Sequence, residues 1–131
     1  MRILIDTHAF LWFLQDADSL SSGAEDIIAS PRSDILLSIA SVWETSIKCA
    51  QGKLVIDEGF QSMPDILERF AIEILPINLR HTLKYYDLPF HHKDPFDRMI
   101  ATQAIVEGID LISIDDFFDS YFADTEVKRI W

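Results

Sequence analysis

Apolar residues along this chain follow two different rhythms. Short continuous runs occur at positions 2–6, 34–38, 72–76 and 109–114, and residues 126–130 could form a last one. The runs at 2–5, 35–37 and 109–112 do not alternate with polar residues, which suits strands buried on both faces of a parallel sheet. Between the runs, apolar residues recur at three- and four-residue spacing, the period of an amphipathic helix. One such helix is expected at 7–15, with Phe10, Leu11, Phe13 and Leu14 apolar. A second is expected at 20–30, capped by Ser19 or Ser21 and broken by Pro31. A third runs over 39–51, with Ile39, Val42, Trp43, Ile47 and Ala50 on one face and Gly52 closing it. Further helices are expected at 64–71 and 80–86. Asp94 then caps a helix that Pro95 opens and that runs to Glu107, with Gly108 ending it and a short helical piece at 115–121. Strands alternating with helices predict an α/β architecture, whose ligands sit at the carboxyl ends of the strands.

That expectation gives the carboxylates a meaning that composition does not. Asp6 follows the first run directly and Asp115 follows the fourth, so both belong at the carboxyl edge of the sheet. Either acid taken singly also reads as a helix N-cap. Asp97 lies in the first turn of the helix begun by Asp94-Pro95, on the face that carries Ile100, Ala101, Ala104 and Gly108. It can complete a capping arrangement with Asp94, but a cap requires no position over the buried stripe. Glu44 reads on its own as a surface partner of Lys48 at i,i+4. Its helix starts at a strand's carboxyl end, however, so Glu44 belongs near the same edge. Four converging carboxylates would repel one another and hold their protons to raised pH. A hard cation removes that conflict. With no nearby pair of Cys or His, oxygen ligation favours Mg²⁺ or Mn²⁺ over zinc, and the natural chemistry is phosphodiester hydrolysis.

The remaining composition narrows the class. The 131 residues are enough for one domain, 1–131, and the 49% apolar and 25% charged fractions exclude a disordered chain. The lone Cys49 cannot form an internal disulfide and is expected as a small buried hydrophobe. Asp6 interrupts the first apolar run too early for a signal peptide, and no run approaches the ~20 residues that span a bilayer. A cytoplasmic location is expected. The net charge of −11 has the wrong sign for a chain that holds phosphates with its own cations. It leaves two readings: an acidic protein that never meets nucleic acid, or one whose acids bind a metal that meets the phosphate.

The acids sit inside recognisable motifs. Asp6-Thr7-His8-Ala9-Phe10-Leu11-Trp12 resembles the opening of one subgroup of the PIN-domain family, as do 37–44 (Leu-Ser-Ile-Ala-Ser-Val-Trp-Glu) and Gly52-Lys53-Leu54. The strongest match runs from His92 to Ala104 through Asp94-Pro95-Phe96-Asp97-Arg98, followed by 111–115 (Leu-Ile-Ser-Ile-Asp) and the terminal Ile130-Trp131. The resemblance extends over essentially the whole chain. It implies a three-layer α/β/α sandwich around a mainly parallel five-stranded sheet, with Asp6, Glu44, Asp97 and Asp115 as catalytic, metal-binding acids. Asp116 stays open as the fourth acid in place of Asp115. Ser113 occupies a position where the family carries Thr or Ser near the metal. Within this subgroup the resemblance implies VapC-type toxins: Mg²⁺-dependent endoribonucleases of the cytoplasm, usually homodimeric, acting on RNA and restrained by a small antitoxin protein.

Weaker expectations attach to other residues. Thr7 adjoins the first acid. His8 suits substrate, a metal-associated water or simple packing, and Arg98 suits a carboxylate, a phosphate or an ordinary ion pair. His91 and His92 suit RNA contact or solvent, and Lys48, Lys53 and Lys93 are candidate RNA contacts. Phe10, Trp12 and Phe13 suit a core or a dimer face. Rival readings are weak. A phosphoacceptor signalling domain needs an acid pair after its first strand, and a haloacid-dehalogenase-type phosphatase needs Asp where His8 stands. A PIN domain serving RNA processing, or RNA binding alone, is the serious alternative to a toxin.

Overall fold

A computed structural model describes residues 1–131. Five strands form one sheet: β1 (Arg2–Ile5), β2 (Asp34–Ser38), β3 (Ile72–Leu75), β4 (Asp110–Ile112) and β5 (Arg129–Ile130). Their order is β3-β2-β1-β4-β5, and every pairing is parallel. Seven helices cover the sheet: α1 (Thr7–Leu14), α2 (Ser22–Ala29), α3 (Ile39–Ala50), α4 (Met63–Arg69), α5 (Leu79–Asp87), α6 (Pro95–Glu107) and α7 (Phe118–Phe122). A 3₁₀ turn at Phe60–Ser62 leads into α4. None of these helices is long and apolar enough to cross a membrane.

The continuous apolar runs are explained by two cores, one on each face. Ile3, Ile5, Ile35, Leu37, Ile72 and Ile112 point to one side and pack with Ala9 and Phe10 of α1, Ala24 and Ile28 of α2, and Met63 and Ile66 of α4. Leu4, Leu36, Leu75 and Leu111 point to the other side, against Ile100, Ala101 and Ala104 of α6 and Phe118, Tyr121 and Phe122 of α7. Each strand therefore alternates faces while staying apolar throughout, as strands buried on both sides do. The chain winds from β1 through β2 to β3 in one direction, and β4 and β5 extend the other edge. Strand order thus reverses between β1 and β4, which is where an open α/β sheet forms its crevice.

Several expected boundaries shift. The fourth strand ends at Ile112, not at position 114, because β1 gives way there to Asp6 and α1. The last strand shrinks from 126–130 to two residues. Lys128 N–H donates to Asp110 Oδ1 and Val127 N–H to Thr125 Oγ1, so these donors go to side chains instead of a ladder. The expected helix at 115–121 begins only at Phe118. The larger correction concerns α3. It buries Ala40, Ser41, Glu44 and Thr45, whereas Ile39 and Trp43 lie outward, Trp43 being 61% exposed. Its inner face meets α1 and α6, where Thr7 Oγ1 donates to Ser41 Oγ at 2.9 Å, and small polar residues permit that close approach. Cys49 is only partly buried.

Candidate metal centre

Each acid reaches the carboxyl edge of the sheet through a local feature of the chain. Asp6 follows β1, and its own N–H continues the ladder by donating to Ile112 O at 3.1 Å. Its side chain caps α1, with Oδ1 accepting from Ala9 N–H at 2.8 Å. The cap and a ligand role are compatible, because one carboxylate oxygen remains free of that bond. Only 2% of Asp6 is exposed, and burial pushes its carboxyl up to about 6. A hydrogen bond with Ser113, the Ala9 N–H and the charge of His8 act against that rise, and the negative charge of Asp115 adds to it.

Asp97 stands in the first turn of α6, beside the cap that Asp94 Oδ1 makes with Phe96 and Asp97 N–H groups. Its side chain is 18% exposed. Burial raises its carboxyl to about 7, and the charges of Asp94, Glu44 and Asp6 push in the same direction, opposed by His92. Asp97 thus feels the charges of Asp94, Glu44 and Asp6, and Asp6 in turn feels that of Asp115.

Glu44 makes the expected i,i+4 pair with Lys48, but not as a surface residue. Its Oε2 accepts from Lys48 Nζ at 3.1 Å, and the residue is nevertheless 8% exposed, because the inner face of α3 is rotated from the one the apolar spacing predicts. Its Oε1 is buried with no hydrogen-bond partner. A native fold rarely leaves such an atom unsatisfied without a reason. Asp115 lies at the open side, its N–H donating to Ser113 Oγ at 3.0 Å and its Oδ2 4.0 Å from His8 Nδ1. Asp115 and Asp116 both add to the field around Arg129, and Asp115 also acts on Asp6.

Other expected residues lie elsewhere or act differently. Arg98 does not face the acids. It is 2% exposed and donates to the carbonyls of Tyr85, Leu88 and Pro89 at 2.6–2.8 Å. Its guanidinium is held over the rings of Tyr85 and Phe90. It ties the end of α5 and the following loop to α6, so neither a phosphate nor a carboxylate is its partner. Thr7 is spent on the Ser41 contact. His8 stacks on Trp12 at 5.7 Å. Phe10 is core, and Trp12 and Phe13 pack at the margin of the same cluster. Lys53 and Lys93 are exposed and free of ion pairs, whereas Lys48 is committed to Glu44. His91 packs edge-on against Tyr121 at 4.9 Å.

The sequence offers His92 as an RNA contact and Asp94 as a helix cap, and neither as a ligand. His92 Nε2 lies 3.3 Å from Asp97 Oδ2, and His92, Asp94 and Asp97 can each offer one ligand atom within 4.8 Å of the others. The signal available beforehand was their position just ahead of the Asp94-Pro95 helix start. Gln103 is a third residue of this kind. Fully buried, it accepts from Ser38 Oγ and donates to Pro76 O at 3.2 Å, fixing α6 to the carboxyl ends of β2 and β3. A glutamine on the apolar stripe of α6 was the visible sign.

Buried acids that raise one another's affinity for protons, an orphaned carboxylate oxygen and an oxygen-rich donor set fit a hard divalent cation. The family model for the PIN domain matches residues 3–123. This chain belongs to the PIN-domain family. Solved structures agree with this PIN domain in fold. VapBC2 from Rickettsia felis, bound to a DNA fragment from their promoter, matches with a TM-score of 0.70 and 20% identity over 100% of both chains. VapBC-1 from nontypeable Haemophilus influenzae matches with a TM-score of 0.66 and 19% identity over 98% of both. DNA-bound VapBC from Salmonella typhimurium matches with a TM-score of 0.67 and 12% identity over 98% of both. No curated protein matches the sequence. The family is generally one of nucleases.

Proposed function

We propose that this PIN domain is a divalent-metal-dependent endoribonuclease and the toxin of a type II toxin–antitoxin pair. The observation that carries the reading is that Asp6 and Glu44, both buried, lie near enough to Asp97 for their charges to raise its carboxyl, with Asp115 acting on Asp6, at the carboxyl ends of the strands where the sheet order reverses. Mg²⁺ or Mn²⁺ bound there would supply Lewis-acid stabilisation of a phosphoryl oxygen and activation of a water. Asp6, Glu44 and Asp97 would hold the cation. Ser113 and the Ala9 N–H fix the Asp6 carboxylate, and Lys48 fixes one oxygen of Glu44 while leaving the other free. The side of Asp115 admits the substrate. Because the chain carries a net charge of −11, attraction for an RNA backbone has to come from the cation and from local lysines such as Lys53 and Lys93.

Solved relatives of this fold are VapBC complexes, which supports a protein antitoxin as partner. Such a partner would offer an Arg or Lys to the acidic crevice and an amphipathic segment to an apolar groove. A homodimer is supported by the outward apolar face of α3, α5 and α6, where Trp43, Ile77, Tyr85, Phe96 and Met99 line one groove. The test is cleavage of a mixed RNA pool with and without Mg²⁺ or Mn²⁺, alongside co-expression with the adjacent gene. The proposal expects metal-dependent cleavage, and growth arrest relieved by the neighbour. Metal-dependent cleavage by a chain that is harmless when expressed and binds no neighbouring product points instead to RNA processing. Absence of cleavage in a folded, metal-loaded sample refutes the nuclease.

A further inference from the structure

We infer that His92 supplies a nitrogen donor to the cation held at Asp97 and so turns this acid centre toward Mn²⁺ in preference to Mg²⁺. The inference rests on the reading of the acids as a cation site. Its basis is the loop between α5 and α6, which folds back over the first turn of α6. Three contacts fix that loop. Arg98 gathers the Tyr85, Leu88 and Pro89 carbonyls. His92 N–H donates to Tyr121 Oη at 3.0 Å. The His92 ring stacks on Phe117 with centroids 4.0 Å apart and planes 15° apart. A loop histidine free to turn in solvent needs none of these.

The result is an imidazole held with Nε2 3.3 Å from Asp97 Oδ2, an ion-pair approach without the alignment of a hydrogen bond. Two donor atoms at that separation, with a ligand atom of Asp94 within 4.8 Å of both, suit a shared third atom. Asp94 stands in the same group but commits one oxygen to the α6 cap. The unpartnered Oε1 of Glu44 is an independent sign that a ligand belongs here, since the charge of Glu44 reaches Asp97. Carboxylates alone accept Mg²⁺ and Mn²⁺ alike. Imidazole favours the transition metal, because Mg²⁺ holds to oxygen and sheds its water reluctantly. A ring stacked on Phe117, on a backbone tied to Tyr121, has little freedom left to lose on binding.

Pulsed EPR of the Mn²⁺-loaded protein reads this directly, since a coordinated imidazole imposes nitrogen modulation on the electron spin echo. Modulation is expected in the wild type and in His8→Gln, the variant of the other histidine near the acids. It should be absent in both His92→Gln and His92→Phe, the second of which keeps the stack on Phe117. In a competition titration, His92→Phe should lower the preference for Mn²⁺ over Mg²⁺ on the order of tenfold. Bound Mn²⁺ without nitrogen modulation, or modulation that survives in either folded His92 variant, overturns the inference and leaves the acid site standing. Failure of the wild type to bind Mn²⁺ at all overturns both.

Discussion

Replacing Asp97 by Asn separates a metal ligand from a helix-terminal acid. The substitution keeps size and removes charge, and it leaves the α6 cap alone because Asp94 supplies that acceptor. In the metal-free protein, Asp97 titrates near 7 in the fold against 3.8 in the open chain. A folded-state value raised in this way means that the fold binds the proton more tightly than the unfolded chain does. The contribution of Asp97 to metal-free stability is therefore greatest below about pH 4, falls as pH rises from about 4 to 7, and levels off above. At about 1.4 kcal/mol per pH unit, keeping Asp97 ionised at pH 8 costs the fold about 4 kcal/mol. That is a ceiling, because 18% of the side chain meets water and part of the repulsion can relax. Half of it, about 2 kcal/mol, corresponds to a rise of roughly 8 °C in the Tm of a domain of this size. In EDTA at pH 8, Asp97→Asn should thus melt above the wild type, and its pH profile should flatten to what Asp6 contributes between 3.8 and about 6. With saturating Mn²⁺ the order reverses, because binding to the folded state stabilises the wild type and fails in the variant. Differential scanning fluorimetry across pH 4.5–8, with and without metal, measures all of this. A variant that melts below the wild type in EDTA, yet keeps its Mn²⁺ response, refutes the reasoning.

Two further predictions concern the supports of the site. Arg98→Lys should destabilise the protein by about 3 kcal/mol, since an ammonium cannot reach three carbonyls in the plane that a guanidinium serves. Chemical denaturation measures the loss, and a change below about 1 kcal/mol contradicts the clamp. Ser113→Ala removes the hydrogen bond that lowers the Asp6 carboxyl, so Mn²⁺ affinity measured by calorimetry should fall, whereas Ser113→Thr should retain it. Equal affinity in Ser113→Ala and the wild type removes Ser113 from the site's support.

Much of the layout is visible in the sequence because it depends on short-range chemistry. The non-alternating run at Ile3, Leu4 and Ile5 can be accommodated only where both faces are covered, and Asp94-Pro95 announces the start of α6. Asp6 and Asp97 follow from those two facts. The rest is set by contacts distant in sequence. The buried face of α3 is chosen by what α1 and α6 offer it, so Trp43 turns outward and Glu44 inward against the apolar spacing. Arg98 looks like a site residue beside Asp97, but one helical step of about 100° sends it to the far side, onto the α5 loop. His92 acquires its place through Phe117 and Tyr121, which no local pattern near position 92 reveals.

The central claim is that the acids at the carboxyl edge form a divalent-cation site, and anomalous diffraction from Mn²⁺-soaked crystals tests it most directly. The account predicts an anomalous peak bounded by the carboxylates of Asp6, Glu44 and Asp97, close to one ligand bond of about 2.2 Å from Asp97. A fully soaked crystal with no peak in that crevice, or with Mn²⁺ bound only elsewhere on the acidic surface, contradicts it.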